Sequence, residues 1–211
     1  MVAQPPTAVN NVPGRRLTEP EWLAARIAEM GRAWGTTSPR IAGTLWWCMV
    51  ASALVEGTAR AYAHGEQAPD AALDRLDCEV RPDGGVERVH SRSADEAVGR
   101  AAALGETLAA VIAPVAEVSG AGVPSLWAIA ADAIGNRSLD AGLPDVGARL
   151  AAEIGGKLPV PRFVAIGGRT FVRRISCCLV FEVPGCAMCT SCPKRPAAER
   201  NALLADLAAE S

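Results

Sequence analysis

The sequence has little net charge and few histidines, and each shortage argues against a class of function. Its 211 residues carry a formal net charge of −2, so no overall positive field is available to bind nucleic acid or an acidic membrane surface. The two histidines, His64 and His90, have no metal-ligating or catalytic companion nearby in the sequence. We therefore expect no nucleic-acid partner, and we assign no residue to acid–base or nucleophilic catalysis.

Long apolar runs and nucleotide-binding motifs are also missing. The most apolar stretch, Ile41 to Val55, is shorter than the roughly 18 residues that cross a bilayer, and Gly43, Thr44 and Ser52 interrupt it. We therefore predict a buried helix there and no stable membrane insertion. The chain has no Walker P-loop, and Gly120-Ala-Gly122 lacks the third glycine of a dinucleotide fingerprint. With no evident site for nicotinamide or flavin, electrons for a redox reaction must come from another protein.

The first residues, Met1 to Arg16, are rich in proline and asparagine and lack the basic start and apolar run of a signal peptide. We interpret them as a mobile leader and expect the protein to be cytoplasmic. A disulfide framework is not expected in that reducing compartment, so clustered cysteines indicate metal or redox chemistry.

The rest of the sequence predicts a mainly α fold with small β-hairpins (α+β). The first two predicted helices end at Gly35 and Gly65, the third near Ser119 and the fourth near Gly135-Asn136. The six helices begin at a Thr18–Glu21 capping box, at Ser38-Pro39, at a Ser93–Glu96 capping box, at Pro124-Ser125, at Asp145 and at Pro196.

Two hairpins are predicted between these helices. One pairs Leu76–Val80 with Val86–His90, and the other pairs Phe163–Ile166 with Phe171–Ile175, directly ahead of Cys177. We therefore divide the chain into the leader at 1–16, a mainly helical body at 17–160 and a cysteine-bearing C-terminal segment at 161–211.

Five of the seven cysteines lie in the C-terminal segment, a density that core packing does not require. Cys177 and Cys178 are adjacent, and Cys189-Thr-Ser-Cys192 follows after ten residues, with Cys186 just ahead of it. Thiolates at this density are soft ligands for zinc or for the iron of an iron–sulfur cluster. The remaining two, Cys48 and Cys78, are predicted to be buried thiols that act as small hydrophobic side chains.

Three kinds of metal site are compatible with these residues. Structural zinc usually takes two separated CxxC or CxxH knuckles, and only one is present. The three cysteines that end at Cys192 mimic the start of a [4Fe-4S] ferredoxin motif, but Pro196 stands where the last cysteine belongs. A [2Fe-2S] cluster on Cys177, Cys178, Cys189 and Cys192 offers two metal atoms, which suits adjacent side chains that point apart in an extended chain.

The motif C-C-x10-C-x2-C, preceded by Arg173-Arg174 and followed by Pro193, is similar to the C-terminal signature of FhuF-like ferric-siderophore reductases. The resemblance covers about residues 173–193 and includes the Val-Pro-Gly that precedes the CxxC. It implies a [2Fe-2S] cluster bound by Cys177, Cys178, Cys189 and Cys192, with Cys186 as an additional thiol.

The same resemblance implies an oxidoreductase that passes one electron to Fe(III) in a siderophore, of the hydroxamate type, and so releases Fe(II). An external protein such as a ferredoxin or a flavin-dependent reductase would supply the electron. The alternative, from a different class, is a non-enzymatic metal- or cluster-binding protein whose four-cysteine site only stabilises the C-terminal lobe.

Two further groups of residues bear on this site. The tryptophans are predicted core anchors, since all but Trp34 lie in apolar helical patterns. Basic residues also gather around the cysteines, where they form either a solvated surface or a positive rim that attracts an acidic electron carrier or an anionic chelate. They are Arg169, Arg173, Arg174, Lys194, Arg195 and Arg200.

The variant Cys186→Ser separates the two iron–sulfur interpretations. If Cys186 is not a ligand, the variant keeps the colour and visible spectrum of the wild-type protein. Loss of the cluster in this variant, together with a wild-type spectrum for Cys177→Ser, would instead assign the cluster to the Cys186–Cys189–Cys192 run.

Overall fold

The computed structural model describes residues 10–92 and 99–210, which form six α-helices, five short strands and three 3-10 turns. This arrangement confirms the prediction of a mainly α fold with small β elements. The helices are α1 (Pro20–Trp34), α2 (Pro39–His64), α3 (Arg100–Ser119), α4 (Val123–Asp140), α5 (Pro144–Ile154) and α6 (Ala197–Ala209). The strands are β1 (Asn10–Pro13), β2 (Leu76–Val80), β3 (Val86–Ser91), β4 (Phe163–Ile166) and β5 (Arg169–Val172).

Helix α2 is the centre of the body and packs against α1, α3 and α4. It begins where Ser38 Oγ accepts a hydrogen bond from the Ile41 N–H, and it ends at Gly65, as the sequence predicts. Trp46 and Trp47 are fully buried, and their indole N–H groups donate to Gly84 O and Leu126 O, each over 2.8 Å. These bonds satisfy the only polar atom of each ring and fix α2 against the β2–β3 turn and α4.

Two helices in the described ranges, α2 and α3, are long and apolar enough to cross a membrane by length and composition alone. In α2, 72% of the apolar window is buried inside the protein. A helix buried to this degree by its own neighbours matches the prediction of a core helix.

Helix α4 runs four to five residues beyond its predicted end. Gly135 and Asn136 were expected to terminate it, yet the helix continues to Asp140. Gly135 instead provides close packing, because a Cβ there would lie 3.1 Å from Pro161 Cβ and 3.4 Å from a Val172 methyl group. The glycine thus allows the β4–β5 hairpin to approach α4.

The predicted hairpin of β2 and β3 is confirmed, and β1 adds a third strand to its sheet. β1 pairs antiparallel with β2, so Asn10 lies opposite Val80 and Pro13 opposite Asp77. Leu17, one turn further on, is fully buried. Residues 10–16 therefore belong to the folded body rather than to a mobile leader, and residues 1–9 lie outside the described ranges.

Three details at element ends differ from the predictions or cannot be compared. Thr18 does not cap α1, because its hydroxyl donates to Arg15 O and the helix begins after Glu19. β5 ends at Val172 rather than continuing to Ile175. The Ser93–Glu96 capping box lies outside the described residues.

Gly43 allows the close crossing of α2 and α3, which gives a test of the packing. A Cβ at this position would lie 2.3 Å from Ser119 Cβ. Although alanine favours helix by about 1 kcal/mol over glycine, we expect Gly43→Ala to lower the free energy of unfolding by about 1–2 kcal/mol through overpacking. Urea denaturation measures the change.

A double-mutant cycle with Ser119→Gly supplies the control, since that change removes the obstructing atom. We expect the double variant to be less destabilised than the sum of the single variants. Strict additivity, or a Gly43→Ala variant as stable as wild type, would contradict the close crossing.

Candidate iron–sulfur site

The four cysteines of the C-C-x10-C-x2-C motif come together as two pairs. Cys177 and Cys192 are buried, with their Sγ atoms 3.6 Å apart. Cys178 and Cys189 are half-buried, and the Sγ atom of each lies 3.7 Å from Arg174 Nη1. Each pair thus combines one cysteine of the adjacent pair with one cysteine of the CxxC turn.

A backbone turn after Cys178 sends the two adjacent cysteines to different partners. Leu179 has φ of 63°, a left-handed conformation that costs a residue with a Cβ about 1–2 kcal/mol. Its N–H donates to Cys177 Sγ over 3.4 Å. On the other side, the Cys192 N–H donates to Cys189 O over 3.1 Å and closes the CxxC turn.

Asp132, on α4, anchors the segment that leads into Cys177. Its carboxylate accepts the Ile175 N–H at 2.8 and 3.0 Å and the Ser176 N–H at 3.1 Å. It also lies 3.8 Å from the Arg174 guanidinium, and its own side chain is 3% exposed. Because the Ile175 and Ser176 N–H groups donate to Asp132, they are not used in strand pairing. This accounts for the end of β5 at Val172.

Arg174 connects this anchor to the thiols. Its Nη1 lies 3.7 Å from both Cys178 Sγ and Cys189 Sγ, within range of long hydrogen bonds to sulfur. The side chain is 17% exposed. A permanent positive charge therefore lies inside the site, between a buried carboxylate and one thiol pair.

These contacts change the acidity of the groups involved. The hydrogen bond from Cys189 lowers the pKa of Cys178 to about 5 and raises the pKa of Cys189. Burial raises the pKa of Cys177 to about 11. Burial also raises the pKa of Asp132, while the Ile175 and Ser176 N–H groups and Arg174 oppose that rise. The hydrogen bond from Cys189 and the positive charge of Arg174 therefore both favour the thiolate form of Cys178.

The structure places Cys48, on α2, beside the same site. Cys48 lines a cavity of about 350 Å³ together with Asp132, Arg174 and Cys178. Burial raises the pKa of its thiol to about 12, so it stays protonated. No local sequence signal connects Cys48 with the C-terminal motif, because about 130 residues separate them. Cys48 was predicted to be buried, but it is half-buried because it borders this cavity. The other body cysteine, Cys78, is fully buried as predicted.

Cys186 is the fifth cysteine of the C-terminal segment. Its side chain is partly buried against the hydrophobic core, as that of Cys178 is, and its backbone N–H donates to Val183 O. Its role beside the cluster therefore stays a prediction.

The basic residues around the motif do not form one surface. Arg174 is enclosed, and Arg195 is only 15% exposed because it donates to Met188 O and ion-pairs with Glu199. Arg173 and Lys194, by contrast, are exposed. A continuous positive rim is therefore not the right description, since two of its members hold the cysteine segment together from inside.

Two cavities reach the thiols from different sides. The 350 Å³ cavity opens at Cys178 and includes Trp34, which is 39% exposed. A second cavity, of about 380 Å³, reaches Cys177 and includes Arg40 and Lys194. Each thiol pair therefore borders a different cavity, although Cys177 itself is only 8% exposed.

The donor set fits a cluster with two metal atoms. The Cys177 and Cys192 Sγ atoms lie 3.6 Å apart, and the Cys178 and Cys189 Sγ atoms each lie 3.7 Å from Arg174 Nη1. Each pair would provide two soft ligands for one iron of a binuclear cluster.

Asp132→Asn tests the anchor. The amide keeps the shape of the side chain but removes the charge opposite Arg174 and offers fewer acceptor sites to the backbone. We expect the free energy of unfolding to fall by about 2 kcal/mol or more and the iron–sulfur absorbance to be lost faster in air. Asp140→Asn, on the exposed end of α4, is the control and should change stability by less than about 0.5 kcal/mol. Equal effects of the two variants would contradict the role of Asp132.

Residues 174–194 match the family model described as the FhuF 2Fe-2S C-terminal domain. No match to the chain was found among curated proteins or among solved structures. The matched segment begins at Arg174 and contains both thiol pairs and Cys186. The C-terminal segment of this protein therefore carries the FhuF-type motif, and its cofactor is a [2Fe-2S] cluster.

Proposed function

We propose that this protein is a ferric-siderophore reductase, which transfers one electron to chelated Fe(III) and releases Fe(II). The observation that carries the proposal is the assembly of two thiol pairs within the segment that matches the FhuF 2Fe-2S domain. The substrate is a ferric siderophore, of the hydroxamate type.

The ligands of the cluster in this proposal are Cys177, Cys178, Cys189 and Cys192. Two pairs of thiols match the two iron atoms of the cluster, and the buried position of Cys177 and Cys192 shields half of the site from water. Cys186 is a packing residue in this proposal. The cysteine-bearing segment at 161–211 is the functional lobe, and the body that ends at residue 160 is its support.

The chemistry requires no acid, base or nucleophile from the chain. Oxygen chelators bind hard Fe(III) tightly and Fe(II) far less tightly, so a single electron is enough to make the metal labile. The cluster supplies a carrier that accepts and passes one electron at a time. The chain binds the cluster and keeps water from the buried thiols of Cys177 and Cys192. It leaves Cys178 at a cavity where a chelate can approach.

The electron comes from an external protein in this proposal, such as a ferredoxin or a flavin-dependent reductase. Arg40 and Lys194 line the cavity at Cys177, although Arg40 also ion-pairs with Glu182 over 2.8 Å. Positive side chains at this opening favour the approach of an acidic donor. Such a reaction belongs in the reducing cytoplasm, which is where we place the protein.

The ligand assignment predicts about two iron atoms and two acid-labile sulfides per chain. Replacement of Cys177, Cys178, Cys189 or Cys192 by serine should in each case bleach or reshape the visible spectrum, whereas Cys48→Ser, beside the site, should retain it. Stoichiometric zinc without iron, in protein produced anaerobically with ample iron, would overturn the assignment.

The reductase activity is tested by oxidation of the reduced protein. We expect anaerobic protein, reduced and then freed of reductant, to recover its oxidised spectrum when a ferric hydroxamate chelate is added, with one Fe(II) formed per cluster. The matching Ga(III) chelate has the same shape but accepts no electron under these conditions, so it should leave the spectrum unchanged. A cluster that ferric chelates do not oxidise would favour the non-enzymatic alternative.

A further inference from the structure

Arg174 is the basic residue whose position in the site suggests a specific task. Its guanidinium lies 3.7 Å from the sulfur atoms of Cys178 and Cys189, both on the half-buried side of the site. Its neighbour Arg173 is exposed and is held by its backbone, which donates to Arg162 O over 2.7 Å. Two adjacent arginines therefore carry the same charge into very different environments.

The orientation of Arg174 is fixed by the body of the protein. Asp132 receives the N–H groups of the next two residues, Ile175 and Ser176, and so holds the backbone immediately after Arg174. The same carboxylate lies 3.8 Å from the guanidinium. The backbone and the charged end of Arg174 are both restrained by α4, and a turn of the guanidinium to solvent would remove a charged partner from the buried Asp132 carboxylate.

We propose that Arg174 is a positioning residue that raises the reduction potential of the site by holding a fixed positive charge against the Cys178–Cys189 pair. Reduction adds one negative charge to a cluster and its thiolates. A nearby cation that also donates hydrogen bonds to sulfur stabilises that reduced state more than the oxidised one. The enclosure of the guanidinium strengthens this effect, because water screens it less than it screens an exposed charge.

The proposal rests on the [2Fe-2S] cluster of the proposed function, but it does not depend on the substrate. It also gives a role to the position of the cation, which lies beside the Cys178–Cys189 pair. Cys177 receives a neutral N–H from Leu179, whereas Cys178 and Cys189 share a charged donor. Arg174 thus raises the electron affinity of the cluster from the side of the site that borders the 350 Å³ cavity.

The test compares Arg174→Gln with Arg173→Gln by a redox titration monitored through the visible and EPR spectra, without siderophore. Both variants lose one positive charge, at neighbouring positions. We expect Arg174→Gln to lower the ratio of reduced to oxidised protein about tenfold at a given ambient potential, equivalent to about 59 mV for one electron. Arg173→Gln should titrate as the wild type does. Equal shifts in the two variants, or a wild-type potential for Arg174→Gln, would overturn the proposal.

Arg174→Lys provides the conservative replacement. Lysine keeps the charge but cannot present the planar guanidinium fork, so we expect a potential between those of the wild type and Arg174→Gln. If Arg174→Gln does not retain iron and sulfide, the reduction potential of Arg174→Lys is the test. A potential below that of the wild type supports the proposal, and a wild-type potential overturns it. A wild-type protein without a [2Fe-2S] cluster would refute the proposed function itself, which separates the two failures.

Discussion

The site depends on the hydrogen bonds that the Ile175 and Ser176 N–H groups donate to the Asp132 carboxylate. A buried carboxylate is costly unless donors satisfy it, and here the donors come from a segment more than 40 residues away along the chain. The carboxylate is therefore stabilised only when the C-terminal segment lies against α4. This requirement fixes where the chain enters Cys177 and which way Arg174 points.

The helical body holds α4 in position, and Asp132 with it. The two buried indoles of α2 bond to the β2–β3 turn and to the start of α4, so the position of α4 is set by packing over most of the body. Gly135 then lets the β4–β5 hairpin lie close to the same helix. The cysteine segment packs on this surface. Its sharp turn at Leu179 is held by the Leu179 N–H, which donates to Cys177 Sγ, and by the Glu182 N–H, which donates to Leu179 O.

Local patterns predicted much of this molecule, and long-range contacts account for what they missed. The cysteine spacing, the β2–β3 hairpin and most helix bounds can be read from neighbouring residues, because turns, caps and ligand motifs are short. Asp132 carried no such signal: it is one polar residue in an apolar helix, and its donors are remote in sequence. Cys48 is similar, and β1 was missed because its pairing with β2 crosses about 70 residues. Arg174 was predicted as part of a surface because exposure depends on tertiary packing.

The central claim is that the two thiol pairs bind one [2Fe-2S] cluster that takes up a single electron. The EPR spectrum of anaerobically purified protein, recorded before and after chemical reduction, tests it most directly. The account predicts no signal from the oxidised protein and, after reduction, a signal that integrates to one unpaired electron for every two iron atoms. A spin count of one for every four iron atoms, or a protein that contains zinc and gives no signal on reduction, would contradict it.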